Sequence, residues 1–102
     1  MPRPRKHRKC ECAVQGQVFK PAGTPLTEME HIPLFHDELE ALRLCDMEGL
    51  VQEEAGQRMG VSRGTVQRLL ASARKKTSTA IVAGAALVLG DIGSERFLPR
   101  LE

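Results

Sequence analysis

Residues 55–69, AGQRMGVSRGTVQRL, decide how the chain reads. Two helices packed steeply across a short turn need a small residue where they cross and usually a glycine in the bend. Gly56 and Gly60, four apart, supply both. Counted from Gly56, the inward positions of such a pair fall one residue before and three, five, ten and thirteen after. Ala55, Met59, Val61, Val66 and Leu69 occupy them. The spacing predicts a helix-turn-helix: a helix over Gln52–Met59, a bend at Gly60–Ser62 and a reading helix from Arg63 to about Ala80, with Ser62 as its N-cap. An ordinary helical hairpin in a small bundle would show the same apolar spacing, so the charge on the outer face carries the distinction.

Between Ala55 and Thr79 the charged residues are Arg58, Arg63, Arg68, Arg74, Lys75 and Lys76, all positive. At about 100° per residue, Val66, Leu69, Leu70 and Ala73 share one side of a helix that begins after Ser62. Gly64, Gln67, Arg68, Ala71 and Lys75 share the other. A guanidinium and an amide among small residues suit the edges of guanine and adenine in the major groove. Arg63, Gln67 and Arg68 are therefore the expected base-reading residues, and Ser62, Arg58, Arg74 and Lys75 the expected phosphate contacts. Cations at Arg74, Lys75 and Lys76 also have a plainer account, since positive charge near a helix C-terminus suits the macrodipole.

The chain has 102 residues, 41% hydrophobic, with no Trp or Tyr, enough for one modest domain. Its net charge of +2 conceals segregation. Residues 1–20 carry six positive charges and one negative, residues 21–54 carry Arg43 against nine acids, and residues 55–79 carry only the six cations. The opening MPRPRKHRK reads as an extended basic arm whose Arg3, Arg5, Lys6, Arg8 and Lys9 would lie along phosphates or in the minor groove.

Val14, Val18 and Phe19 suggest a short strand, and Lys20–Pro25 a loop. A first helix is predicted over Asp37–Met47, opened by a capping arrangement of Asp37 with Glu40 and ended by Gly49. Its apolar repeat is Leu39, Leu42 and Cys45 or Asp46, with Phe35 upstream. Beyond Gly84, Ala85–Leu89 reads as a short strand or docking segment, and the tail from Asp91 as loose. The expected class is mainly α: a three-helix domain over 37–83, a basic arm and loop-rich segment over 1–36, and a C-terminal segment over 84–102 serving as interface or flexible tail. A homodimer, if formed, would use Ala80–Leu89 and read half-sites about 34–36 Å apart.

Gly60-Val61-Ser62-Arg63-Gly64 satisfies the G-x-S-x-G pattern of serine hydrolases, but a helix rather than a strand precedes it and all three histidines come before Ser62. No P-loop, dinucleotide fingerprint or metalloprotease helix is present, and neither an enzyme nor a cofactor is expected. His7, Cys10 and Cys12 are the candidate metal ligands, with His31, His36 and Cys45 elsewhere; their spacing matches no standard zinc pattern, and no metal site is predicted. No apolar run follows the basic start and Ala80–Gly90 is about half of a bilayer span, so a cytoplasmic location is expected, with thiols rather than disulfides.

The PRPRK opening, the FKPAGTPL segment, the DELEALRLCDMEGL helix and QEEAGQRMGVSR together resemble a family of small, mostly uncharacterised prokaryotic proteins described as probable DNA-binding proteins. The helix-turn-helix part also resembles region four of bacterial sigma factors. The likeness spans about residues 2–90 and implies a DNA-binding domain with no stated target. Val51 stands where related chains tend to have a serine cap, Gly56 where they often have alanine, and Gly64 where they often have proline. The expected function is transcriptional regulation through double-stranded DNA. Two other readings stay open: an adaptor whose acidic 37–54 region binds RNA polymerase or another protein, and a metal or redox sensor using His7, Cys10 and Cys12.

Overall fold

A single helix of 21 residues, α3 (Arg63–Ala83), runs about 31 Å through the molecule and touches nearly everything else. The structure, a computed structural model, describes residues 17–90. Ahead of α3 come β1 (Val18–Phe19), a 3₁₀ turn at Leu26–Glu28, β2 (His31–Leu34), α1 (His36–Leu42) and α2 (Gln52–Met59). One π-helical turn, Arg43–Met47, prolongs α1. After α3 comes β3 (Ala86–Leu89). The described chain is mainly helical, with three α-helices and a three-stranded sheet ordered β1-β3-β2.

Two apolar clusters divide α3 between them. Its first half contributes Val66 and Leu70 to a core with Ala41 and Leu44 of α1 and its extension, and Ala55 and Met59 of α2. The second half contributes Ala73 and Ala80 to a core with Leu34, Ala85, Leu87 and Leu89 from the sheet side. Leu42 packs against both clusters. Each half is small, so one leucine matters: truncating Leu70, 1% exposed, costs about 2–5 kcal/mol of a total near 5–15.

The first helix covers the predicted span, but the wider turn changes which residues face inward. Ala41 and Leu44 are fully buried, whereas Asp46, one of the two residues expected to continue the apolar repeat, is exposed. The helix N-terminus also differs. Phe35 is the extended residue before α1, so Glu38 occupies the third helical position and its Oε1 accepts the Phe35 N–H at 2.9 Å. The pairing predicted for Asp37 with Glu40 is not formed: Asp37 accepts from the Glu38 N–H at 2.8 Å, and Glu40 pairs with Arg43 at 2.9 Å.

β2 lies within the 1–36 stretch that the sequence suggests is loop-rich, and it contains Pro33, an unfavourable residue for a strand. The register explains its tolerance. Ala86 N–H donates to Glu30 O at 2.8 Å and Gly90 N–H to Leu34 O at 2.9 Å, so Glu30 and Leu34 face β3. Pro33, one residue off that alternation, has its nitrogen toward the open side of an edge strand, and the ladder is complete without its donor. β3 forms where a strand or docking segment was expected. It lies between β1 and β2 and is buried on every residue, so Ala86–Leu89 form the middle strand of the chain's own sheet. Val14 and residues 91–102 lie outside the described residues.

The junction of α2 and α3 rests on two glycines. A Cβ on Gly56 would stand 2.7 Å from Val61 O, so a bare backbone lets the chain double back at this distance. Gly60 has φ +72°, and both its N–H and that of Val61 donate to Gly56 O. No atom lies within 4 Å of a Cβ built on Gly60, so a side chain there meets only backbone strain.

Gly60→Ala is expected to cost about 1–2 kcal/mol, Gly60→Asn less and Gly60→Val more, read from thermal melting. Equal melting temperatures would show that another feature sets the bend. Glu38→Ala strips the partner from Lys76, 2.8 Å away with a side chain 23% exposed. The expected loss is about 2 kcal/mol by urea unfolding, below the 3–5 kcal/mol for breaking a fully buried pair. Glu38→Gln, which keeps an oxygen for Phe35 N–H, should lose less.

Candidate nucleic-acid interface

The outward side of α3 is built from its N-cap forward. Ser62 is extended (φ −74°, ψ 160°), and its Oγ accepts the Thr65 N–H at 3.1 Å, which starts the helix at Arg63. From there the two sides separate as the periodicity predicts. Val66, Leu70 and Ala73 are buried and Leu69 is half-buried; Gly64, Gln67, Arg68, Ala71 and Lys75 are exposed. Thr65, half-buried beside this face, bonds through Oγ1 to Ser62 Oγ at 3.1 Å and accepts from Arg68 Nη2 at 3.2 Å. The resulting surface holds an amide and cations with small residues between them.

Arg63 stands at the start of α3 and, with Arg74, Asp46, Gln52 and Glu53, lines an open groove of about 650 Å³. Arg58 is exposed on α2, beside Glu54 and Gln57. Arg74 grips Asp46 with two bonds, Nη2 to Oδ1 at 2.7 Å and Nε to Oδ2 at 2.9 Å. Those bonds hold the Asp46 carboxyl below the usual carboxylate range and raise Arg74 further. Any stability from the lowered Asp46 is present above the ordinary carboxylate pKa and fades as pH falls through its depressed value. Both side chains remain substantially exposed, 55% and 37%, so solvent screens the pair and it adds little to stability.

Lys76 parts company with its neighbours. Its ammonium lies 2.8 Å from Glu38 Oε1 and 4.4 Å over the Phe35 ring, turned toward α1. The basic triplet thus divides into an outward Lys75, an Arg74 tied to Asp46 and an inward Lys76. Glu38 Oε2 also accepts from Ser72 Oγ at 2.5 Å. Nothing in the local pattern pairs Glu38 with Ser72 and Lys76, more than thirty residues away.

Three of the acids in the 37–54 region are inside the fold: Asp37, Glu38 and Glu40 are 2%, 5% and 1% exposed. Asp46, Glu48, Glu53 and Glu54 form its acidic surface, and Glu48 is paired with Arg43. Burial, with help from Asp46, pushes the Cys45 thiol up, which keeps it in the unreactive thiol form at neutral pH. His31 directs Nε2 to Leu26 O at 2.8 Å. Among the described residues no group of three or more His, Cys, Asp or Glu side chains is placed to hold a metal ion. No helix among them is long and apolar enough to cross a membrane. Arg3, Arg5, Lys6, Arg8 and Lys9, and the ligand candidates His7, Cys10 and Cys12, lie outside the described residues.

The sequence is 54% identical over 89 residues to a UPF0251 protein of Shewanella sediminis, covering 87% of this chain and 93% of that one. It is 47% identical over 95 residues to a UPF0251 protein of Shewanella pealeana, covering 93% of this chain and 99% of that one. A UPF0251 protein of Desulforudis audaxviator is 51% identical over 87 residues, which cover 85% of this chain and 57% of the longer relative. No solved structure matches. The family described as Protein of unknown function DUF134 matches residues 1–95, and the chain belongs to that family.

Proposed function

We propose that the protein binds double-stranded DNA as a sequence-specific transcriptional regulator, with α2 and α3 acting as a helix-turn-helix similar to sigma factor region four. The observation that carries this reading is the outward face of α3: Gly64, Gln67, Arg68, Ala71 and Lys75 are all exposed on a helix whose opposite side is buried. A helix so presented fits the major groove, small residues allow close approach, and the amide and guanidinium match base edges. Arg63, Gln67 and Arg68 read bases in this scheme; Ser62, Arg58 and Lys75 hold phosphate. Arg74 joins them by exchanging Asp46 for a phosphate, an exchange made cheap by the exposure of both partners. The basic arm, Arg3 to Lys9, adds sequence-independent attraction.

Salt dependence tests the arm. Removing residues 1–9 should weaken binding to every duplex and flatten the plot of log affinity against log salt by about 0.9 for each phosphate that the arm neutralises. A slope unchanged by the deletion would mean that the arm does not touch DNA. Base reading is tested by comparing a selected site with a scrambled duplex at one salt concentration. Gln67→Ala should cost about 1–3 kcal/mol on the selected site and less on the scrambled one, while Lys75→Ala should weaken both alike. Equal losses for Gln67→Ala on both would make α3 a phosphate clamp and remove the sequence-specific assignment.

A further inference from the structure

We propose that Thr65 is a positioning residue that holds the Arg68 guanidinium over Gly64 as a preformed reader of guanine in the major groove; this rests on the DNA-binding reading above. Three linked hydrogen bonds carry it. Ser62 Oγ accepts the Thr65 N–H at 3.1 Å, Ser62 Oγ and Thr65 Oγ1 share a hydrogen bond at 3.1 Å, and Arg68 Nη2 donates to Thr65 Oγ1 at 3.2 Å. The Arg68 side chain therefore runs back toward the start of α3, as long side chains on helices do. A Cβ built on Gly64 would lie 3.8 Å from Arg68 Nη1 and 3.9 Å from Ser62 Oγ, so the guanidinium passes directly over the bare glycine.

Helix stability does not account for this placement, because positive charge is unfavourable at the positive end of a helix macrodipole. Recognition does. An arginine free in solution loses rotamer freedom when it docks, and a side chain already tied down loses less. Thr65 engages one hydrogen of Nη2 and leaves Nη1 and the second Nη2 hydrogen as donors for the O6 and N7 acceptors of guanine. Gly64 contributes by adding no side chain beneath the guanidinium, so that the fork lies close against the helix.

The test uses the full chain and a duplex selected from a random pool by the wild-type protein. Its guanines are replaced one at a time by 7-deazaguanine, which lacks the N7 acceptor. One replacement should weaken the wild type, and Arg68→Ala should be indifferent to that same replacement. Thr65→Val keeps the branched shape and the backbone N–H but removes the acceptor. It should bind the selected site roughly 2- to 12-fold more weakly, the range for freeing one rotamer-rich side chain, and lose little on the 7-deaza duplex. Thr65→Ser, which retains the hydroxyl, should match the wild type, and melting temperatures should agree among the variants. If valine lowers the melting temperature, Thr65→Ala takes its place in the same comparison. The positioning role is overturned if the hydroxyl-free variant binds like wild type, loses equally on both duplexes, or is not matched by recovery in Thr65→Ser. A wild-type protein that binds no duplex, or selects no sequence, overturns the DNA reading and this inference with it.

Discussion

α3 must satisfy two cores with one side of one helix, and the remaining architecture follows from that demand. Val66 and Leu70 face α1 and α2, Ala73 and Ala80 face the sheet side, and the change of partner occurs within a single turn between Leu70 and Ala73. Alanines on the sheet half let the helix approach closely, while bulkier residues fill the space beneath α2. Leu42, packed against both clusters, closes the seam between them. With this side committed to the cores, the opposite side of α3 is left exposed.

The polar interactions reinforce the same arrangement. Glu38 is 5% exposed yet carries a carboxylate with bonds to Phe35 N–H, Ser72 and Lys76, so one group caps α1 and fastens it to α3. Burying a carboxylate is costly unless it is paired and hydrogen-bonded, and here it is both. Asp46, in the π-helical extension of α1, and Arg74 make a second tie to α3, but in solvent. The inner tie is expensive to break and the outer one cheap. Acids that look like a binding surface in the sequence are therefore divided into structural groups inside and solvated groups outside.

That division marks how far the sequence could be read. The α2–α3 junction was legible because its determinants are local: Gly60 at positive φ, Ser62 as cap, and apolar residues at helical spacing. The exposed side of α3, including Gln67 and Lys75, followed from the same periodicity. β2 was not legible, since the permissive feature for Pro33 is the open edge beside β3, more than fifty residues later in the chain. The cap at Phe35 was missed because phenylalanine offers no capping oxygen; only the Glu38 half of the box is present. Lys76 was grouped with Arg74 and Lys75 by charge, and its inward turn depends on a distant carboxylate. Thr65 carried no signal in the sequence, because its role depends on side-chain bonds from its hydroxyl to Ser62 and Arg68.

Gly64 is a local weakness of α3 and, on the DNA-binding reading proposed above, also an advantage. Glycine near the start of a helix gives up backbone order that alanine or proline would supply. A Cβ at this position would meet only ordinary neighbours, at 3.8 and 3.9 Å, so packing does not demand glycine. What the bare position provides is a shallow helix surface beneath the Arg68 guanidinium and beside Gln67. Gly64→Ala should therefore stabilise the fold by about 0.4–1 kcal/mol in thermal melts, because the substitution restricts the unfolded chain without a clash in the folded one. If the same variant also binds its selected duplex more weakly, the glycine serves the face rather than the fold; if it is destabilised instead, the start of α3 is more tightly constrained than its 3.8 Å clearance implies.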